Sequence, residues 1–316
     1  MSGSRIRVGV SSCLLGEQVR YDGGHKRDRY LTDTLARHFE FVSFCPEVGA
    51  GLGVPRPALR LSGDPRAPRA VGVRDASLDA TERISDYARS VLPQISELSG
   101  YLFKRASPSC GLERVKVYSP SGQPAGTSGG IYARRVREAL PWLPCEEEGR
   151  LNDPHLRESF VERVYVYHRW RRLAAEGLSA GKLVEFHTRH KLLLLSHSEV
   201  HYRRLGRLVA EAGRAHPREV GERYIALLLE GLGRRGTRRR HANVLQHLLG
   251  FFKRVLDAGD KAEFLRTVDE YRAGQIPLAV PLRLLEHHLR RHPDGYLEAQ
   301  YYLDPYPPEL GLRSHL

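Results

Sequence analysis

The sequence is poor in cysteine and has no long apolar run. No stretch approaches eighteen consecutive apolar residues, which excludes a transmembrane helix from the pattern. The opening residues Met1-Ser2-Gly3-Ser4-Arg5 lead straight into a short strand-like run. They lack the apolar core of a signal peptide, and the expectation is a cytoplasmic protein. Four cysteines in 316 residues are no disulfide framework, and a cytosol would keep them reduced. No Cys-x-x-Cys pair occurs, so neither a zinc ribbon nor a thioredoxin-type site is supported. No Gly-x-Gly-x-x-Gly follows the first strand, which removes the dinucleotide fingerprint. No internal repeat is visible.

What is present is a foldable chain with an excess of positive charge. Hydrophobic residues make up 41% and charged residues 28%, enough to bury proper cores. The length suggests two domains. The net charge of +13 and an isoelectric point near 9.8 favour a polyanionic partner, nucleic acid first. A solvated, arginine-rich surface produces the same numbers without any partner.

Composition changes near residue 150. Residues 1–150 hold the cysteines, most Gly- and Pro-rich loops and 2 of the 15 histidines, with 22 Lys/Arg against 17 Asp/Glu. Residues 151–316 hold 13 histidines, with 28 Lys/Arg against 20 Asp/Glu, a net of +8. Two domains, 1–150 and 151–316, are therefore expected.

The first half alternates strand and helix patterns. Residues 5–11, 40–44, 100–104 and 142–145 read as strands. Residues 30–38, 78–95 and 130–139 read as helices. This alternation predicts an α/β domain with a Rossmann-like, mostly parallel sheet covered on both faces. The second half reads as an all-α domain. Asp153-Pro154 opens a helix in which Leu156, Phe160 and Val164 recur every four residues. Ser179 caps a long basic segment, and further helices fall around 219–232, 242–256, 261–272 and 281–291.

In an open parallel sheet, ligands bind beyond the carboxyl ends of the strands. Cys13 and Cys45 follow the first two strands directly, and Cys110 comes just after the third, so the three thiols can converge on one crevice. Three convergent thiolates suit a soft metal centre. An iron–sulfur cluster normally takes four cysteines, and three would leave one iron open as a Lewis acid. The other reading is three unrelated buried cysteines. Cys145 sits in a strand and lies outside the pattern. The Gly, Pro and Ser residues beside the cysteines would expose backbone amides to an anionic cluster. Glu47, two residues after Cys45, places a carboxylate beside the crevice as a general base for water. It reads equally as a capping or Arg-paired carboxylate. Ser107 and Ser109 offer hydroxyls to a substrate, or serve as turn hydroxyls.

The blocks SSCLLG, RYDGGHKRD, FCPEVGAGLGVPRPALRL and FKRASPSCG occur in this order. Together they resemble the bacterial thiouracil desulfidase (TudS) family over about residues 5–147. The continuation, LPCEEEGRLNDPHLRESFVERVYVYHRW and then FHTRHKLLLLSH, resembles the YbgA-type helical domain often fused behind it. The fused form resembles tRNA 4-thiouridine desulfidases, so the resemblance covers nearly the whole chain. It implies a [4Fe-4S] cluster held by Cys13, Cys45 and Cys110. The open iron would capture the sulfur of a thiocarbonyl, and water would supply the replacing oxygen. Glu47 is the implied base, and Ser107 the implied proton-relay or substrate-orienting hydroxyl. This chain reads Lys104-Arg105-Ala106 where many relatives read Lys-Ser-Arg, which leaves the role of Lys104 open.

A helical domain of net +8 has a use if the substrate is tRNA, because phosphate contacts supply most of the affinity for RNA. The densest basic run is Arg234, Arg235, Arg238, Arg239 and Arg240. Arg189 and Lys191 add to it, as do Arg203, Arg204 and Arg207. These are the expected RNA-binding residues, and each also fits a plain solvated face. Tyr165, Tyr167, Trp170, Tyr301 and Tyr302 can stack on RNA or pack a core. Three other functions compete: desulfidation of free thiouracil or other thiobases, a non-catalytic iron–sulfur nucleic-acid sensor, and a photolyase-like or repair-associated accessory protein, which the missing Gly-x-Gly-x-x-Gly weakens. Glu47 argues against the sensor, which needs no base.

Overall fold

The computed structural model describes residues 5–214 and 216–315. Residues 1–4, with which the opening run begins, lie outside them. The chain divides into two compact units, Met1–Asp153 and Pro154–Leu316.

The first unit contains eight strands and three α-helices among its described residues. In chain order they are β1 (Ile6–Ser11), β2 (Phe39–Phe44), α1 (Pro46–Gly49), β3 (Leu59–Ser62), β4 (Arg69–Gly72), α2 (Thr81–Ser96), β5 (Tyr101–Phe103), β6 (Val115–Tyr118), β7 (Pro124–Ser128), α3 (Ile131–Ala139) and β8 (Cys145–Glu147). The expected parallel sheet has the order β2-β1-β5-β8. β1 pairs in parallel with β2 from Ile6↔Phe39 to Ser11↔Phe44, and with β5 at Gly9↔Tyr101 and Val10↔Leu102. Val8, Val10, Tyr101, Leu102 and Phe103 are fully buried, as strands covered on both faces require. The chain steps outward from β1 to β2, then returns across β1 to β5 and β8. α2 and α3 pack against each other. The reversal of direction between β1 and β5 is a topological switch point, the usual place for a ligand.

Three sequence expectations change in the structure. Residues 30–38 form no α-helix; a π turn at Tyr30–Thr34 runs into a 3-10 turn at Leu35–Arg37. The Leu31 N–H donates to Asp28 Oδ1 at 3.1 Å, and the Thr32 hydroxyl to the Asp28 carbonyl at 3.2 Å. Such local side-chain bonds compete with regular helix. The second change is a whole sheet that the sequence pattern does not reveal, of order β4-β3-β6-β7. β3 pairs antiparallel with β4 and in parallel with β6, and β6 pairs antiparallel with β7. The last strand of the first sheet also begins at Cys145 rather than ending there.

The second unit is helical throughout its described residues: α4 (Pro154–Ala175), α5 (Ala180–His197), α6 (Glu199–Ala210), α7 (Pro217–Leu232), α8 (Arg238–Leu249), α9 (Ala258–Ala273), α10 (Ala279–Arg291) and α11 (Gly295–Glu298). The Ser179 side chain caps α5 by accepting from the Lys182 N–H, and Thr237 caps α8 by accepting from Arg240. Both are standard N-caps, each stabilising by about 0.5–2 kcal/mol. The core gathers Trp170, Leu193, Leu194, Tyr224, Leu245, Phe264 and Leu285. Trp170 and Tyr302 therefore pack inside, and Trp170 stacks on Tyr224 at 5.5 Å between ring centroids. No helix among the described residues is long and apolar enough to cross a membrane.

Candidate active site

The carboxyl ends of β1 and β2, together with the loop after β5, enclose a cavity of about 230 Å³. Cys13, Cys45 and Cys110 all line it, with Glu47, Arg56, Lys104 and Ser107. Cys145 does not. Cys13 sits in a short 3-10 turn, Ser12–Leu15, directly after β1. Its carbonyl accepts from the Lys26 N–H at 2.8 Å, which ties the turn to the 20–28 loop. Cys45 is the residue before α1, and its thiol donates to the Val19 carbonyl at 3.8 Å.

Cys110 sits in a tight loop built from its own motif. The Ser107 Oγ accepts from the N–H groups of Ser109 and Cys110, at 3.2 and 3.1 Å. The first amides of α3 bond the same loop, Ile131 to the Pro108 carbonyl at 3.0 Å and Ala133 to the Ser109 carbonyl at 3.1 Å. Gly130 allows this approach, since a Cβ there would meet the Ser109 carbonyl at 2.5 Å. The Ser11 hydroxyl accepts from the Lys104 N–H at 2.9 Å, and the same side chain favours the ionised form of Cys110.

Burial pushes all three thiols up: Cys13 to about 11, Cys45 less far, and Cys110 well above its ordinary value. Lys104 and Arg20 draw Cys13 back only in part. Burial therefore favours the protonated form of all three thiols at neutral pH. A thiolate is the metal-binding form, so these thiols become ligands when a soft cationic centre replaces their protons. Among the described residues, no three His, Cys, Asp or Glu side chains are grouped to hold a single metal ion. A multi-iron cluster is wider than one ion. Thiols from three separate segments around one cavity, with amides and hydroxyls beside the sulfurs, fit such a cluster.

Glu47 enters the cavity from the first turn of α1. Its Oε2 accepts from Arg56 Nε at 2.8 Å and Arg56 Nη2 at 2.7 Å. Its Oε1 accepts from the Ser109 hydroxyl at 2.8 Å. The Arg56 side chain is only 3% exposed and also donates to the carbonyls of Gly53 and Val19, both at 2.9 Å. Glu47 is thus Arg-paired, one of the two roles its sequence setting allows, yet it stands inside the site rather than on the surface. The two serines differ. Ser109 touches the carboxylate, whereas Ser107 accepts bonds that hold the Cys110 loop. Lys104 pairs with Glu148 and donates to the Arg105 carbonyl at 2.9 Å.

Arg56, Ser11 and the Ser109–Glu47 bond are not foreseen from the sequence. The available signal is an arginine between two prolines, Pro55 and Pro57, nine residues after Glu47.

In the second unit, Arg234, Arg235, Arg238, Arg239 and Arg240 are all exposed. Arg234 pairs with Glu230 at 3.5 Å, and Arg240 Nη1 donates to the Arg235 carbonyl at 3.1 Å. Arg235, Arg238 and Arg239 line a cavity of about 530 Å³ with Arg272 and Arg313. Arg189 and Lys191 are placed differently, half-buried against aromatic rings. The Arg189 guanidinium lies 4.6 Å from the Tyr301 centroid, and Lys191 Nζ 5.1 Å from that of Tyr296.

The family model for 2-thiouracil desulfurase matches residues 8–148, and that for a protein of unknown function, DUF1722, matches residues 191–307. The uncharacterized protein YbgA of Escherichia coli (strain K12) is 32% identical over 157 residues, 49% of this chain and 93% of that protein. The uncharacterized protein YbbK of Bacillus subtilis (strain 168) is 31% identical over 150 residues, 46% of this chain and 97% of that protein. A solved structure of the [4Fe-4S]-dependent thiouracil desulfidase TudS aligns over 47% of this chain and 95% of its own, at 28% identity and a TM-score of 0.37. The chain accordingly belongs to the 2-thiouracil desulfurase family through residues 8–148, and to the DUF1722 family through residues 191–307.

Proposed function

We propose that this protein is an iron–sulfur-dependent desulfidase that exchanges the sulfur of a thiolated uracil ring for oxygen, and that its substrate is 4-thiouridine in tRNA. The observation that carries the reading is one cavity lined by Cys13, Cys45, Cys110 and Glu47, with Cys145 outside it. Family membership of residues 8–148 supports the reaction class. The three cysteines would hold a [4Fe-4S] cluster, which supplies a thiophilic Lewis acid towards a C=S group.

The remaining work falls to this chain's own side chains. Glu47, with Ser109 on Oε1 and Arg56 on Oε2, is the base that takes a proton from the incoming water. Arg56 fixes the carboxylate's orientation, so that little reorganisation is needed when the proton moves. Ser109 is placed to give or receive a proton at Glu47 Oε1. Ser107 holds the Cys110 loop through its two amide bonds. The net reaction is sulfur-for-oxygen exchange, so no external electron donor enters the balance. RNA as substrate rests on the net +8 of residues 151–316 and on the exposed arginines of the 234–240 run.

The test is anaerobic purification with iron analysis, followed by incubation with bulk tRNA and, separately, with free thiouracil. About four irons per chain and loss of the 4-thiouridine absorbance from tRNA are expected. An iron-free protein, or one that turns over free thiobases only, overturns the corresponding half of the reading.

A further inference from the structure

A second depression opens beside the active-site cavity in the same unit. Its volume is about 790 Å³, against about 230 Å³ for the cavity of the three cysteines. The smaller volume falls below the roughly 300–1,000 Å³ usual for a drug-sized ligand. With a cluster held by the three cysteines, what remains admits a ring at most and not the chain that carries it. The two depressions share Leu59, Arg105, Ala106 and Pro108 as walls, so the larger one begins where the smaller one ends.

The larger depression lies along β3 and β6, two strands of the sheet that the sequence pattern does not reveal. β6 alternates, with Val115 and Val117 buried and Lys116 exposed. The cations Arg60, Arg105, Arg114 and Lys116 all line it. Among the described residues, none of these four has a carboxylate partner within ion-pair distance. The two acids of the lining are engaged elsewhere. Glu147 Oε1 accepts from the Leu112 N–H at 2.8 Å, and Glu113 faces Arg137 at 4.0 Å. Tyr118 is half-buried, and the Arg60 guanidinium lies 5.6 Å from its ring centroid. An aromatic ring beside an arginine plane is a platform on which an unstacked base can lie.

The backbone adds an independent sign. Among the described residues, Ala106 and Arg114 are the non-glycine residues with positive φ, each at 57°. Both line this depression. Such conformations cost on the order of 1–3 kcal/mol and gather where a site holds them in place.

We infer that the β3–β6 groove is a polynucleotide track, which receives the phosphodiester chain flanking the thiolated base while that base occupies the cysteine cavity. The inference rests on the RNA reading of the active site and adds to it: the catalytic unit itself grips the RNA. Unmatched cations beside an aromatic ring, joined to the cysteine cavity, match a strand whose phosphates lie outside and whose bases turn inward. A free thiobase needs none of these interactions.

The experiment uses the full-length, cluster-loaded protein and two separate variants, Lys116→Glu and Arg114→Gly. The first lies on an exposed strand face, and the second relieves a strained backbone, so each is expected to fold; thermal melting checks this. Affinity for unmodified tRNA is measured by fluorescence anisotropy at several salt concentrations, beside turnover of 4-thiouridine tRNA and of free thiouracil. Expected are a several-fold loss of tRNA affinity, and a salt slope shallower by about 0.7–0.9 for each phosphate that the protein no longer neutralises. Turnover of free thiouracil is unchanged. Wild-type affinity and slope in both folded variants overturn the groove. If the wild type turns over only free thiobases, the RNA reading of the active site falls by that result, and the anisotropy arm still decides the groove.

Discussion

The active-site cavity of the first unit and the 234–240 run of the second handle charge in opposite ways. In the cavity, the decisive groups are few, buried and matched: Glu47 lies between Arg56 and Ser109, with the Arg56 side chain 3% exposed. In the second, arginines outnumber their partners and stand in solvent along residues 234–240. Buried matched groups suit chemistry, because a water-poor site strengthens each interaction and holds it without reorganisation. Exposed unmatched cations suit binding to a polyanion, since they gain from released counterions and specify little. The contrast is a division of labour that experiments can break.

The largest effect is expected at the thiols. Cys110→Ala removes the most buried of the three, and the protein should lose its iron; Cys145→Ala should keep it. Iron per chain and the visible absorption of the anaerobic protein measure both, and full iron content in Cys110→Ala would end the ligand assignment. Next comes the base. Glu47→Gln should retain the cluster and lose turnover by about 10²–10⁴-fold, the usual contribution of a positioned base. Single-turnover sulfur release decides it, and a wild-type rate would move water activation to another group.

Smaller effects belong to the binding side and to the loops. Neutralising Arg238, Arg239 and Arg240 together should weaken tRNA binding and reduce its salt slope by up to about 0.7–0.9 per phosphate set free, with free-thiouracil kinetics unchanged. An unaltered slope would leave the basic run as solvated surface. Ser107→Ala should be mildest: the cluster stays, and stability falls by about 1–3 kcal/mol as the two loop hydrogen bonds, each worth about 0.5–1.5 kcal/mol, disappear. Denaturant midpoints measure it, and a loss of turnover as large as that of Glu47→Gln would instead place Ser107 in the proton path.

Much of the site is legible in the sequence because strand ends are. Periodicity locates the strands that become β1, β2 and β5, and in a parallel sheet their carboxyl ends open onto one crevice. Cys13, Cys45 and Cys110 can therefore be grouped without coordinates. The Arg56–Glu47 pair cannot, because nothing local marks which carboxylate a buried arginine will meet nine residues away. The second sheet escapes for a similar reason. LRLS, RAVG and PAGTS are four or five residues long, with Arg, Gly or Pro inside them, too short for a period to register. Arg189 and Lys191 show the limit on the basic side: composition counts them with the exposed run, yet the fold lays them against Tyr301 and Tyr296.

By itself, then, the sequence determined the elements set by local period and capping: a parallel α/β unit, a helical unit with a surplus of arginine, and three cysteines in turn-forming settings just after strands. Tertiary structure alone decided which distant groups meet. It put Arg56 and Ser109 on Glu47, gave Ser107 to the Cys110 loop, and set β3 and β6 beside the cysteine cavity with four unmatched cations along them. The physical reason is range. Helix, strand and cap depend on neighbours a few residues apart, whereas a site depends on side chains brought together by packing from segments tens of residues apart.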